Sequence, residues 1–199
     1  KALKKKNIDA LLFHNANDLK NESFPIIFDW LNSLKERNLI KRIGLSIYSK
    51  SDINKVNIKK FDLVQLPLSI YDQRLLNDGT IKFLRDIGIS VHVRSIFLQG
   101  LILNNPKKWP PSISKEFKDH HSNFFNFLNL KKLNKLEEIM KFPFFVKDIE
   151  AVVLGITSYK EFYEITKIWN KLAKEKDTNS NDFKKWEWTN FNDLDPRKW

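Results

Sequence analysis

Leu11-Leu12-Phe13-His14-Asn15 is an apolar run that ends in a histidine and an asparagine. Such a run is typical of a buried β-strand, and it places the titratable ring of His14 at the edge of a core. A neutral imidazole at a strand end can donate a hydrogen bond to a carbonyl oxygen, so His14 is the first candidate for a catalytic residue. The alternative is a structural histidine that only satisfies its own hydrogen bonds.

Short apolar runs alternate with longer amphipathic segments along the rest of the chain. This alternation predicts a parallel α/β fold in which each strand is followed by a helix. The apolar runs predict strands over residues 8–14, 43–48, 61–68, 90–97 and 151–154. The amphipathic segments predict helices over residues 24–40, 51–60, 74–87, 112–130, 133–142 and 159–172.

Local patterns add detail to these helices. The first helix has an apolar stripe, predicted to face the core, formed by Ile27, Trp30, Leu31 and Leu34. Ser51 and Asp52 are candidate caps of the second helix. Ser158 and Glu161 have the spacing of a capping box at the start of the last helix. The remaining residues, 174–199, are polar with isolated tryptophans, and we expect them to form a surface tail of a single domain.

Five strand–helix repeats suit either a doubly wound sheet or a (β/α)8 barrel. A doubly wound sheet that binds a dinucleotide usually carries a glycine-rich turn after its first strand, whereas this chain has only 5 Gly and no G-x-G-x-x-G. The (β/α)8 TIM barrel is therefore the better fit. Because five strands cannot close a barrel, we expect residues 1–199 to be the C-terminal portion of one barrel domain, with about three βα units upstream of Lys1.

The net charge of +11 raises the question of nucleic acid binding. The basic pairs are scattered rather than clustered, at Lys59-Lys60, Lys107-Lys108, Lys131-Lys132 and Lys184-Lys185. We interpret most of the charge as solvated helix surface and expect no nucleic acid partner. A nucleic-acid-binding protein is the alternative, and a salt-dependent gel shift would reveal it.

The chain contains no cysteine, which excludes disulfides and thiolate metal sites and suits a reducing compartment. No apolar stretch approaches the roughly 20 residues of a membrane helix, so we expect a soluble cytoplasmic protein without a membrane partner. His92 and the pair His120-His121 lack the spacing of metal ligands, which predicts structural roles and no metal site. Asp72 and Arg74 are expected to order a loop through a salt bridge.

Five blocks at the predicted strand ends resemble the aldo/keto reductases. They are, in order, Leu12-Phe13-His14, Ile43-Gly44-Leu45-Ser46, Val64-Gln65-Leu66-Pro67, Arg94-Ser95-Ile96-Phe97-Leu98-Gln99-Gly100-Leu101 and Val153-Leu154-Gly155. The chain's ending, residues 195–199, is similar to the tail of a bacterial branch of that family. The resemblance implies an NAD(P)-dependent oxidoreductase that transfers a hydride between a nicotinamide cofactor and a carbonyl or alcohol substrate.

The resemblance also implies roles for individual residues. His14 is similar in position to the histidine of the family's Asp, Tyr, Lys and His tetrad, which orients the substrate carbonyl. Ser46 and Gln65 match the residues that hold the nicotinamide carboxamide, which needs an acceptor and a donor at strand ends. Ile47 departs from the asparagine that is usual beside that serine. The family's Asp, Tyr and Lys come from earlier strands, so we expect the isolated chain to be catalytically incomplete and inactive.

Further implied contacts concern the rest of the cofactor. Arg94 stands where many members stack an aromatic ring on the nicotinamide, and a planar guanidinium can also stack. Ser95 through Gln99, with Phe97 between them, would lie along the pyrophosphate, the alternative being an ordinary strand that runs into a loop. The motif that cups the adenosine end is matched by Gly155, Thr157, Glu161 and Glu164.

The choice between NADP and NAD is left open by the sequence. Glu161, without a Lys or Arg immediately around Gly155, would repel a 2′-phosphate and favours NAD, although Arg94 or Lys107 could compensate. Ser158 and Glu161 have the alternative role of capping their own helix. A noncatalytic relative that keeps the nucleotide site as a binding or regulatory module is a second hypothesis. The identity of the small-molecule carbonyl substrate and the oligomeric state are not specified by the sequence.

Overall fold

The computed structural model describes residues 4–54, 56–175 and 180–199. Within these residues, five strands form one parallel sheet in the order β1-β2-β3-β4-β5. The strands are β1 (Ile8–Phe13), β2 (Ile40–Ser46), β3 (Leu63–Pro67), β4 (Ser90–Arg94) and β5 (Ala151–Val152). Each strand pairs with the next one in sequence, as the wall of a (β/α)8 barrel requires, whereas a doubly wound sheet changes direction at a switch point.

Helices connect the strands and cover one side of the sheet. They are α1 (Phe24–Glu36), α2 (Lys50–Ile53), α3 (Arg74–Asn77), α4 (Thr80–Asp86), α5 (Lys115–Leu130), α6 (Lys135–Phe145), α7 (Tyr159–Leu172) and α8 (Phe191–Leu194). Short 3-10 turns lie at Ala16–Lys20, Ile58–Lys60, Leu101–Leu103, Pro106–Lys108, Ser180–Trp186 and Pro196–Lys198. In the part of the chain that the structure describes, no helix has the length and apolar character needed to cross a membrane.

The two faces of the sheet differ in chemistry because strand side chains alternate between them. One set is buried against the helices and forms the core, and it includes Ile43, Leu45, Val64, Leu66, Val91 and Val93. The other set, which we call the lumen face, includes Gly44, Ser46, Gln65, His92 and Arg94. Glycine is required at position 44 on this face, since a Cβ there would lie 2.7 Å from Leu12 Cγ and 3.0 Å from a backbone oxygen.

The buried side of α1 differs from the prediction. Phe28 and Leu31 are buried, whereas Ile27 and Trp30, which the apolar stripe placed inward, are 40% and 55% exposed. The prediction for these two residues was wrong because an aromatic cluster sets the rotation of the helix. The cluster has ring centroids 5.5–6.1 Å apart and is formed by Phe13, Phe24, Phe28 and Phe61.

Several element boundaries also differ from the sequence-based expectation. The segment predicted as one helix over residues 74–87 forms α3 and α4, because Gly79 takes a left-handed φ of 78° between them. The cap of α2 is Ser49, in a capping box with Asp52, rather than Ser51. The strand predicted over residues 151–154 pairs only at Ala151 and Val152.

Arg42 of β2 connects β1 with the start of β5 through ion pairs. Its guanidinium bonds Asp9 of β1 and lies 2.8 and 2.9 Å from the two carboxylate oxygens of Glu150, the residue before β5. Hydrogen bonds from Ser90 and Arg42 lower the pKa of Glu150 to about 2. Because β3 and β4 lie between β2 and β5 in the sheet, this contact requires a strongly curled sheet.

The segment that follows α7 is anchored on the barrel wall by specific contacts. Asp193 is buried and accepts hydrogen bonds of 2.8 Å from both the backbone N and the Oγ of Ser114, the N-cap of α5. Asp193 also accepts one of 3.0 Å from Trp188 Nε1, while the Trp188 backbone N donates to Tyr71 O at 2.9 Å. Although residues 174–199 are polar in composition, several of their side chains are buried, among them Phe183, Asp193, Leu194 and Asp195.

Candidate functional site

Three of the predicted site residues lie in one row across β1, β2 and β3, with His14 and Ser46 at the carboxyl ends of β1 and β2 and Gln65 within β3. Ser46 is the register partner of Gln65. Phe13 is the partner of Leu45, so His14, the next residue, follows at the level of Ser46. Ser46 is buried, Gln65 is half-buried and His14 is exposed. The carboxyl end of the strands is where (β/α)8 enzymes carry their active sites.

Arg94 ends β4 and reaches toward the end of β2. Its guanidinium lies 4.2 Å from the centroid of the Tyr48 ring. Nη2 is 3.3 Å from Ile47 O, and Nη1 is 3.3 Å from Ser95 Oγ. Burial lowers the pKa of Arg94 from its ordinary value. The structure therefore places a partly desolvated cation beside the row formed by His14, Ser46 and Gln65.

The loop that follows β4 has an unusual backbone. Its φ angles are positive at Ser95 (63°), Leu98 (45°), Gln99 (56°) and Gly100 (84°). A residue with a Cβ in this region costs of order 1–3 kcal/mol, so it persists only where the surroundings hold it. The buried side chains of Ile96 and Leu98 keep the loop in this conformation. The loop conformation is thus fixed by packing.

This loop and the start of α7 enclose a groove of about 560 Å³. That volume lies within the range of small-molecule sites. The groove brings together seven of the predicted cofactor residues, namely Arg94, Ser95, Phe97, Gln99, Gly155, Thr157 and Glu161. Apolar side chains of α6 and α7, Leu136 and Ile165, complete its wall. Ser46 and Gln65 do not line the groove; Gln65 lies on β3, the neighbour of the Arg94 strand, and Ser46 lies one strand further, on β2.

The first turn of α7 is stabilised by its own side chains. Ser158 Oγ accepts a hydrogen bond of 3.2 Å from the backbone N of Glu161. The Glu161 carboxylate does not return this bond in the manner of a full capping box. It accepts instead from the backbone N of Thr157 at 2.8 Å and from its Oγ1, and the backbone bond does most to lower the pKa of Glu161. Glu164, one turn further on, is exposed and does not line the groove.

The other histidines lie in structural settings. Both ring nitrogens of buried His121 have partners, Tyr71 Oη at 2.7 Å and Asn104 O at 3.1 Å. His120 Nε2 lies 3.1 Å from the Trp186 carbonyl. His92 Nε2 has no hydrogen-bond partner, and Glu150 Oε1 is 3.4 Å away. Among the described residues, no three His, Cys, Asp or Glu side chains converge as a metal site would require.

The sequence reasoning missed the contribution of the chain's last residues to this end of the barrel. Arg197 stacks on the same Tyr48 ring as Arg94, with its guanidinium carbon 3.7 Å from the centroid. Its partner is Asp195, whose carboxylate oxygens lie 2.7–3.1 Å from the Arg197 nitrogens. The signal in the sequence was the Asp-Pro-Arg-Lys-Trp ending, whose position in the fold no local pattern discloses. The loop salt bridge expected between Asp72 and Arg74 is present, at 2.8 Å.

Comparison with known proteins gives the chain its family. The sequence model of the Aldo/keto reductase family matches residues 1–182. The chain belongs to the aldo/keto reductase family. A search of curated proteins found no significant match.

Solved structures of aldo-keto reductases share the fold. The apo form of an aldo-keto reductase from Bacillus halodurans matches with a TM-score of 0.68 and 16% identity, over 92% of this chain and 62% of that one. Its holo form gives a TM-score of 0.65 and 16% identity, over 92% and 61%. A putative aldo-keto reductase from Pseudomonas aeruginosa gives 0.55 and 14%, over 86% and 54%. At these identities the likeness concerns the fold alone.

The predicted architecture is thereby confirmed. The parallel sheet and its helices correspond to part of the aldo/keto reductase (β/α)8 barrel. The chain spans about 62% of the length of the Bacillus halodurans protein. The predicted resemblance to the family is likewise confirmed by the match over residues 1–182.

Proposed function

We propose that the chain is the C-terminal part of an NAD(P)-dependent oxidoreductase that transfers a hydride between a nicotinamide cofactor and a small carbonyl or alcohol substrate. The observation that carries this proposal is the row of His14, Ser46 and Gln65 across three adjacent strands. Family membership supports this interpretation of the row, and the roles of the three residues are proposed from the resemblance of the strand-end blocks to the family.

The polar groups of the row fit a nicotinamide carboxamide. A primary amide has one carbonyl acceptor and two N–H donors, and the Ser46 hydroxyl and the Gln65 amide can supply the complementary groups. The groove beside Arg94 then offers room for the rest of a dinucleotide, with Gly155 free of any heavy atom within 4 Å of a Cβ built on it. The nicotinamide supplies or accepts the hydride when it is bound.

His14 is assigned the orientation of the substrate carbonyl. Its side chain is exposed at the mouth of the barrel, so a ring N–H of the neutral imidazole is available to a ligand. An N–H donated to the carbonyl oxygen fixes the direction of that group and stabilises the negative charge that develops on it during reduction. The proton donor of the family's tetrad, with its Asp and Lys, is assigned to no residue of this chain.

The test is the substitution His14→Ala in the full-length protein. We expect kcat/KM for carbonyl reduction to fall by roughly a hundredfold or more, the usual scale for a positioned acid–base partner. The affinity for NADPH or NADH should hardly change, since the cofactor contacts are assigned to Ser46 and Gln65. Nucleotide affinity, melting temperature and turnover are measured on the same preparation.

A matched control is Asn17→Ala, because Asn17 is exposed in the same loop and has no assigned role. Its turnover should equal that of the wild type. Near-normal turnover of His14→Ala would remove the residue from the mechanism. Tight cofactor binding by a wild-type protein that reduces no aldehyde would indicate a noncatalytic nucleotide-binding relative instead.

A further inference from the structure

Arg94 is half-buried and forms no ion pair with a carboxylate among the described residues. It lies 3.3 Å from one backbone oxygen and from the Ser95 hydroxyl, and the Tyr48 hydroxyl and the Asp195 carboxylate also act on its charge. Arg37 also lacks an ion pair, but it is exposed to solvent, whereas Arg94 is half-buried. The arginines that are paired with an acidic side chain are Arg42, Arg74, Arg85 and Arg197. Burial is the largest influence on Arg94 and lowers its pKa, and the carboxylate of Asp195 offsets this only in part. An anionic ligand would therefore stabilise the cation further.

The Arg94 side chain is held ready for such a ligand. A guanidinium has five N–H donors, and the contacts of Arg94 leave some of them unused. Its plane is fixed on Tyr48, whose ring is in turn covered by Arg197. Arg197 is neutralised by the bidentate pair with buried Asp195, so it positions Tyr48 without competing strongly for an anion. A guanidinium held in one orientation can donate two parallel hydrogen bonds to the two oxygens of a carboxylate.

The position of Arg94 points to the substrate rather than to the cofactor phosphates. Arg94 is the register partner of Pro67, and its Nη2 lies near Ile47 O, just beyond Ser46 at the end of β2. The guanidinium therefore points toward the end of β2, on the side of the barrel mouth where His14 is proposed to bind the substrate carbonyl. Gly155 and the first turn of α7, where the adenosine end is assigned, lie on the opposite side, beyond β4.

We propose that Arg94 binds a carboxylate on the substrate, so that the preferred substrates are acidic aldehydes or ketones. This inference rests on the proposed function, because it uses the same mouth of the barrel. The salt link to Arg94 fixes one end of the substrate, and the hydrogen bond from His14 fixes the carbonyl at the other. Arg94 is thus a specificity-determining residue and takes no part in moving the hydride or the proton.

The test compares para-carboxybenzaldehyde with its methyl ester, which differ in charge but little in shape. Binding to the full-length protein is measured by calorimetry at neutral pH, with and without oxidised cofactor. Wild type should bind the acid at least about tenfold more tightly than the ester, as a charge-assisted bidentate bond implies. In Arg94→Gln this preference should disappear, while affinity for the ester stays within about twofold.

Arg37→Gln is the matched control, since it removes one positive charge from the exposed end of α1. It should keep the full preference for the acid. Arg94→Lys retains the positive charge but loses the planar guanidinium, so it should keep part of the preference for the acid. This variant also provides the test if Arg94→Gln does not fold.

Three results would overturn the proposal. They are equal binding of acid and ester by wild type, an unchanged preference in Arg94→Gln, and a loss confined to dinucleotide affinity, which would assign Arg94 to a cofactor phosphate. Failure of the proposed function is separately visible, as absence of cofactor binding and of turnover, because the calorimetric preference for the acid needs neither.

Discussion

At the scale of single residues, His121 shows how a buried histidine can make folding depend on pH. Its Nε2 faces the Asn104 carbonyl, which can only accept, so Nε2 carries the hydrogen and Nδ1 accepts from the Tyr71 hydroxyl. The ring is covered by Trp109 and Phe125, with centroids 4.6 and 4.1 Å away. Burial lowers the pKa of His121 to about 4, so the imidazole stays neutral in the folded protein.

We therefore predict that stability falls as pH falls from about 6.5 to about 4. Above the unfolded pKa neither state binds the proton. Between the two pKa values only the unfolded state binds it, which lowers the free energy of unfolding by up to about 3 kcal/mol, the equivalent of the shift in pKa. Denaturant unfolding of the full-length protein at a series of pH values measures the effect.

The comparison variant is the double substitution His121→Leu with Tyr71→Phe, which removes both partners and leaves no orphaned hydroxyl. Its stability should change less between pH 6.5 and 5 than that of wild type, since the carboxyl groups that titrate there are common to both proteins. Parallel pH profiles for the two proteins would contradict the assignment of the pH dependence to His121.

The placement of His14, Ser46 and Gln65 on adjacent parallel strands could be predicted from the sequence, whereas contacts between distant segments could not. The roles of these three residues were assigned from the resemblance to the family and stay predictions. Tyr48 and Arg197 are separated by most of the chain, and their contact depends on the anchoring of the tail. A pattern within a short window carries no information about that contact.

At the scale of elements, the start of α7 is the part of the groove where charge should select the cofactor. The Glu161 carboxylate lines the groove, and its hydrogen bonds with Thr157 keep its pKa low, so it is ionised at neutral pH. We predict that Glu161→Gln raises the affinity for NADPH relative to NADH by about three- to tenfold, because it removes repulsion of the 2′-phosphate. Fluorescence titration of both cofactors measures the ratio.

Glu116→Gln is a suitable control, since Glu116 is also exposed in the first turn of a helix, α5, and lies outside the groove. The ratio of its affinities for NADPH and NADH should equal that of the wild type. The glutamine at position 161 can still accept from the Thr157 backbone N, which keeps the helix start intact. A ratio that stays constant in Glu161→Gln would mean that the 2′-phosphate lies elsewhere.

Element prediction succeeded where local chemistry is decisive. The bounds of α7, Tyr159–Leu172, coincide with the prediction, because Ser158 marks the start and the amphipathic period continues to the end. The segment at residues 74–87 was mistaken for one helix because its apolar period continues across Gly79. The rotation of α1 was mispredicted because aromatic packing against Phe13 and Phe61, which is a tertiary property, outweighs the stripe of aliphatic residues.

At the scale of the whole molecule, both ends of the sheet present apolar surface. β1 and β5 each pair on one side only within the described residues. Helix α1, next to β1, exposes Ile26 and Trp30, and helix α7, next to β5, exposes Phe162 and Tyr163. Large apolar side chains at two open edges are the kind of surface that other parts of a barrel would cover. The chain spans 62% of the length of the Bacillus halodurans aldo-keto reductase.

We therefore predict that residues 1–199 expressed alone aggregate or remain molten, because unpaired parallel strand edges and exposed aromatic residues favour association. Size-exclusion chromatography and thermal melting test this. The full-length protein, in which upstream βα units are proposed to pair with β1 and β5, should be monodisperse and melt cooperatively. A monodisperse 199-residue monomer with a sharp transition would show that the described sheet needs no further strands.

Charge substitutions can show whether the open edges of the sheet cause the aggregation. In the isolated chain, Trp30→Lys combined with Phe162→Lys places a charge beside each open edge and should reduce aggregation. Phe83→Lys is the matched control, since Phe83 is 46% exposed on α4, which packs against β4 rather than against an edge strand. If both variants suppressed aggregation equally, general solubility would explain the effect. If only the edge variant did so, association would proceed through the surfaces beside β1 and β5, which are the surfaces that a complete barrel buries.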